Sequence, residues 1–153
     1  MNLKRIESEF VKARTAVFMA TGTERQKMAR LRRIESEYCG KLTSEPHLRL
    51  EVKRRIAETL LDMSITRGRS LKTCRMRFNA LLKVGFTDIE QKAHYYLIYG
   101  RAALERGHPQ IADNLARRMI RELRLSLRHR RSIIGRQLLG HLERLAHQSL
   151  HVP

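Results

Sequence analysis

The residues whose type and spacing offer chemistry are arginines. Between Asn114 and Arg136 stand Arg117, Arg118, Arg121, Arg124, Arg128, Arg130, Arg131 and Arg136 against one acid, Glu122. Arg117, Arg121, Arg124, Arg128 and Arg131 step by four, three, four and three. On a helix this rhythm puts all of them on one face. Between Asp62 and Asp88 lie Arg67, Arg69, Lys72, Arg75, Arg77 and Lys83, with no acid among them. These two stretches carry +6 and +7 of the +17 net charge. A guanidinium matches the oxygens of phosphate or carboxylate and does not lose its proton. The chemistry on offer is capture of an anion.

Other chemistries are weakly represented. The chain has no glycine-rich phosphate loop, no His-Glu-x-x-His and no Gly-x-Ser-x-Gly. Cys39 and Cys74 stand where a small apolar residue suits a helix, although Arg75 and Arg77 could favour a thiolate at Cys74. His147 and His151 are four residues apart with His141 nearby, but no third metal ligand is evident. No catalytic residue, cofactor or metal is expected. Tyr95, Tyr96 and Tyr99 could stack on bases or pack in a helical hairpin; Tyr95 is the member expected at the surface.

Composition sets the frame. The chain has 153 residues, 32 Lys+Arg against 15 Asp+Glu, 42% hydrophobic residues and a pI near 11.1. That is one domain with apolar content for a real core. Two cysteines make no disulfide framework, no apolar run is long enough to span a membrane, and acids occupy the N-terminus where a signal peptide would be apolar. These features point to a cytoplasmic (or nuclear) chain. A charge of +17 on 18.0 kDa repels itself, so the expected partner is a polyanion, nucleic acid above all. An acidic protein or peptide is the alternative partner, and a homo-oligomer is left open.

Helical periodicity runs throughout, and no strand pattern of useful length occurs. The spacing predicts an all-α fold of seven helices, over about 3–20, 24–42, 46–66, 71–84, 88–106, 109–127 and 132–149. Thr23 with Gln26, and Thr87 with Glu90, read as capping boxes; Ser44, Ser70 and Ser132 read as N-caps. The expected inward residues include Phe10, Val17, Leu31, Tyr38, Ile56, Leu60, Cys74, Phe78, Leu81, Leu82, Ile111, Leu115, Met119 and Leu123. Arg128-His129-Arg130-Arg131 reads as a break before Ser132, with one long helix as the alternative. Residues 1–43 read as an N-terminal hairpin and 44–153 as a basic array of hairpins, together one domain. Leu3-Lys4-Arg5-Ile6-Glu7-Ser8-Glu9-Phe10 recurs as Leu31-Arg32-Arg33-Ile34-Glu35-Ser36-Glu37-Tyr38, which predicts that the two copies pair.

Tyr96, Tyr99, Gly100, Ala103, Gly107, Ala112 and Ala116 fall at spacings that resemble a tetratricopeptide repeat over residues 93–126. The pattern departs at Ala116, where the family has an aromatic residue, and lacks the terminal proline. The resemblance implies a helical hairpin stacked among others, and binding of a protein or peptide in a groove. Thr73 to Gly85 also resembles the recognition helix of LuxR-type DNA-binding regulators, with a one-residue slip and a longer linker back to Ile56-Ala57.

Overall fold

The computed structural model describes residues 2–151. Seven α-helices follow one another: α1 (Leu3–Met19), α2 (Glu24–Lys41), α3 (Pro46–Thr66), α4 (Leu71–Val84), α5 (Ile89–Glu105), α6 (Pro109–Leu127) and α7 (Ile133–Leu150). Among the described residues there is no strand, and no helix is long and apolar enough to cross a membrane. Every connection is three to five residues long, so helices joined in sequence and packed on each other run antiparallel.

Local chemistry places most of the boundaries. Thr23 and Gln26 form the expected reciprocal capping box, each 3.1 Å from the other's backbone nitrogen. Ser70 accepts from the Thr73 amide and Ser132 from the Gly135 amide. Two expected caps are corrected. Glu45, not Ser44, is the N-cap of α3, and it makes no side-chain bond; Pro46 in the first turn needs no donor there. At α5 the cap moves one residue on. Asp88 accepts from the Gln91 amide and Gln91 accepts from the Thr87 amide, which frees Glu90 for another role. The α5–α6 corner turns at Gly107, whose φ of 80° suits glycine.

The apolar residues form two clusters that share α3. Phe10 and Val17 of α1 and Leu31 and Tyr38 of α2 meet Val52, Ile56, Leu60 and Met63 of α3. The repeated octapeptides do pair: their aromatic positions, Phe10 and Tyr38, touch edge to face at 5.6 Å. The other side of α3, through Ala57 and Leu61, belongs to the larger cluster of α4 to α7. Truncating a fully buried leucine such as Leu61 or Leu142 would cost about 2–5 kcal/mol. Within that cluster α5, α6 and α7 each pack on the other two. Ala93, Ala103, Ala112 and Ala116 are buried in it and permit close approach. Gly100 makes its tightest approach to α7, since a Cβ there would lie 2.7 Å from Leu145 Cδ2 and 3.9 Å from the Ala112 carbonyl of α6.

Four residues depart from their expected burial. Leu82 is 37% exposed, because Leu81 takes the core-facing position one residue away. Ile111 and Leu115 are half-buried at the flank of α6. Tyr95 is 6% exposed, stacked on Phe86 with its hydroxyl 3.5 Å from Asp62. Its neighbourhood is a polar seam between α3 and α5. Gln91 donates to Glu58 at 2.6 Å, and Arg14 of α1 reaches Thr59 at 3.1 Å. Burial raises the Glu58 carboxyl and lifts Asp62 to about 6.

Candidate nucleic-acid interface

α6 buries most of its apolar side chains and exposes its arginines, with Leu125 also exposed. Ala112, Ala116, Met119, Ile120 and Leu123 are buried, and Arg117, Arg118, Arg121, Arg124 and Arg128 are exposed. The helix ends at Leu127, with Arg128 as its C-cap, so the arginine row runs from 117 to 128 on one helix. That is about 16 Å at 1.5 Å per residue. Arg131 lies beyond the break, in the corner before α7. The long-helix alternative is excluded by that break.

The arginines differ in how far their charge is already met. The Arg117 Nε donates to both Asp113 oxygens at 2.9 and 3.0 Å. Arg124 lies 3.4 Å from Glu143 of α7, and Arg118 lies 3.8 Å from Glu122, which also holds Lys92 at 2.8 Å. The Arg124 pair is exposed on both sides and holds its partner weakly, whereas Asp113 is only 13% exposed. Arg121, Arg128, Arg131 and Arg136 have no carboxylate within 4 Å among the described residues. Arg117, Arg121 and Arg124 line a groove of about 520 Å³ between α6 and α7, with Ile120 and Ala146 as apolar lining and Glu143 at its edge.

The corner beyond the row is built by Glu90, the residue freed from capping. Arg130 pairs with it, and the Ser132 hydroxyl donates to it at 3.0 Å while accepting from Gly135. Burial would raise the Glu90 carboxyl, but hydrogen bonds from Arg130, from its own backbone and from Ser132 outweigh that and hold it below its usual range. Arg130 is therefore a structural strut as well as a surface cation.

The second basic stretch lies elsewhere. Arg106, at the end of α5, donates to the Arg69 and Ile65 carbonyls of the α3–α4 turn at 2.8 and 3.5 Å. Glu90, which holds Arg130, is at the start of α5. The Arg67–Arg69 turn and the Arg130 corner thus meet α5 at opposite ends, about 25 Å apart along a helix of 17 residues, while α4 carries the rest of the second stretch back to Lys83, near the start of α5. The members of the second stretch are not equivalent. Arg69 pairs with buried Glu24, and Arg67 reaches the Gly22 carbonyl at 3.5 Å. Arg77 is half-buried, with Nη2 3.4 Å from Met28 Sδ and Nε without a partner; burial and nearby Arg32 lower its pKa. It reaches from α4 to Met28 of α2. Lys72 and Arg75 are exposed.

The remaining candidates resolve as follows. Cys74 is fully buried and its thiol points to the Arg69 carbonyl at 3.7 Å; burial raises its pKa, the opposite of an activated thiolate. Among the described residues no group of three His, Cys, Asp or Glu is placed to hold a metal. His147 and His151 lie ring to ring at 4.2 Å on the last turn of α7, and His141 sits between Arg101 and Arg144. Sequence reasoning missed the Glu58–Asp62–Gln91–Tyr95 seam. Its signal was two acids four residues apart on the apolar helix α3. No protein-family model, curated protein or solved structure matches the chain.

Proposed function

We propose that the protein is a non-enzymatic binding protein that engages a polyanion, nucleic acid above all, through the arginine face of α6 and the corner that follows it. The observation that carries this reading is the exposed row Arg117, Arg121, Arg124 and Arg128 on α6, followed by Arg130 and Arg131 past its end, in which Arg121, Arg128 and Arg131 have no carboxylate within 4 Å among the described residues. Such a row contacts backbone phosphates, which position a nucleic acid without reading its sequence. Arg67, Arg69, Lys72 and Arg75 form a weaker second area, which half-buried Arg77 does not join; of these, Lys72 and Arg75 are the best placed to touch a ligand. Competition tests the reading: labelled random-sequence DNA or RNA bound to the protein is challenged with polyglutamate. Tight binding that equal charge of polyglutamate displaces poorly supports nucleic acid. Binding no tighter than that of an unrelated protein of equal charge refutes it.

A second reading, a tetratricopeptide-like adaptor for an acidic protein, is favoured by one observation. The α6–α7 groove is lined by both arginines and apolar residues, and α5, α6 and α7 each touch the other two, as successive helices of stacked hairpins do. Preferential displacement by the acidic polypeptide would support it.

A further inference from the structure

The corner between α6 and α7 exposes two side chains that the fold does not use. Ile133 and Ile134, the first residues of α7, are 78% and 63% exposed. With Arg131, Ser132 and Arg136 they line a shallow open hollow. Each isoleucine left in water forgoes about 2 kcal/mol of burial. From residue 123 to 142 the sequence holds five arginines and no acid, and Glu90 of α5, which reaches the corner, is already held by Arg130 and Ser132. Whatever covers the corner is therefore anionic and also presents an apolar surface. A folded acidic protein, a lipid headgroup layer and a nucleic acid with open bases all meet that description. The arginine row discriminates between them. It leads to the corner along about 16 Å of α6, the path of a phosphate chain rather than of a flat layer touched by a tip.

We propose that Ile133 and Ile134 form an apolar wedge that contacts nucleobases. The strand's phosphates run along the α6 row, and Arg131 and Arg136 meet phosphates on either side of the wedge. This rests on the nucleic-acid reading and adds a preference to it. Apolar side chains that enter a base step unstack it, at a cost of a few kcal/mol in a duplex. A single strand or an unpaired step is spared most of that cost, so the site prefers single-stranded over fully paired nucleic acid.

The test uses the full chain and a single-stranded oligonucleotide carrying 2-aminopurine, whose fluorescence rises when the base unstacks. Wild type should raise the signal on binding. The variant I133S/I134S changes only exposed side chains, and circular dichroism checks that its helices melt as before. It should lose most of the rise and bind the single strand about tenfold more weakly, equivalent to about 1.4 kcal/mol of lost apolar contact. Its salt dependence should be unchanged, because the phosphate contacts remain. I133V/I134V should restore both signal and affinity. Equal affinity and equal fluorescence in wild type and the serine variant would overturn the wedge while leaving the arginine row intact. Failure of wild type to bind any oligonucleotide would instead overturn the nucleic-acid reading itself. Vesicles containing phosphatidylserine form the last arm; isoleucine-dependent binding to them, without an effect on the oligonucleotide, would give the corner to lipid and overturn the proposal.

Discussion

Replacing Asp62 with asparagine should stabilise the protein at neutral pH. Asp62 lies on α3 beneath α5, and burial lifts its carboxyl from an ordinary 3.8 to about 6, against the opposing pull of the Tyr95 hydroxyl bond and the Arg14 charge. In the unfolded chain the group loses its proton near pH 4; in the folded chain it keeps it to about pH 6. A folded pKa raised in this way favours folding fully below pH 3.8 and loses that advantage as pH rises through 6. Above pH 6 the fold carries a half-buried carboxylate penalised by roughly two pKa units, or up to about 3 kcal/mol. Glu58, also raised by burial, adds a penalty of the same sign. Asparagine keeps an oxygen for the Tyr95 hydroxyl and carries no charge. At pH 7.5 the variant should be more stable by about 1–3 kcal/mol, or about 2–4 °C in Tm for each kcal/mol. The gain should vanish below pH 4. Urea unfolding of both proteins at pH 4 and pH 7.5 measures the difference. A variant that is less stable at pH 7.5 would mean that Arg14 and Tyr95 stabilise the Asp62 carboxylate more than burial disfavours it, and the reasoning would fail.

Gly100→Leu should overpack the contact with Leu145 of α7 and cost about 1–3 kcal/mol by denaturant midpoint; an unchanged midpoint would mean that α5 and α7 do not approach there. Arg77→Met should be neutral or stabilising by up to about 1 kcal/mol, because it removes a half-buried cation whose Nε lacks a partner. The same variant should leave nucleic-acid affinity unchanged, and a clear loss of affinity would return Arg77 to the surface.

What the sequence made legible follows the range of the forces involved. The seven helices and most of their ends are set by neighbours three or four residues away, as with Thr23 and Gln26 or Ser132 and Gly135, and such signals can be read along the chain. The faces are less legible. Leu81 and Leu82 differ by 100° around α4, and only packing against the neighbouring helices, α3 above all, decides which is buried. Tyr95 reads as the surface member of its tyrosine group, whereas α4, α6 and α7 all pack on α5 and the polar seam of α3 lies across it. Arg77 reads as one base in a basic run, and only the Met28 contact shows that it points inward. The arginine row on α6 was legible from its spacing. Its separation from the Arg67–Arg69 turn was not, since that depends on which end of α5 each turn meets.

The most direct measurement of the central claim is the salt dependence of binding to random-sequence DNA and RNA, by fluorescence anisotropy, for wild type and for R117Q/R121Q/R124Q. Neutralising phosphates makes log K fall linearly with log salt, with a slope of about −0.9 per contact on duplex DNA, so five contacts give roughly −4 to −5. The three arginines are exposed and away from the core, so the variant should fold normally. The account predicts weaker binding to all sequences alike and a slope flattened by up to about 3. A slope that the triple substitution leaves unmoved would contradict the account and favour an acidic protein partner.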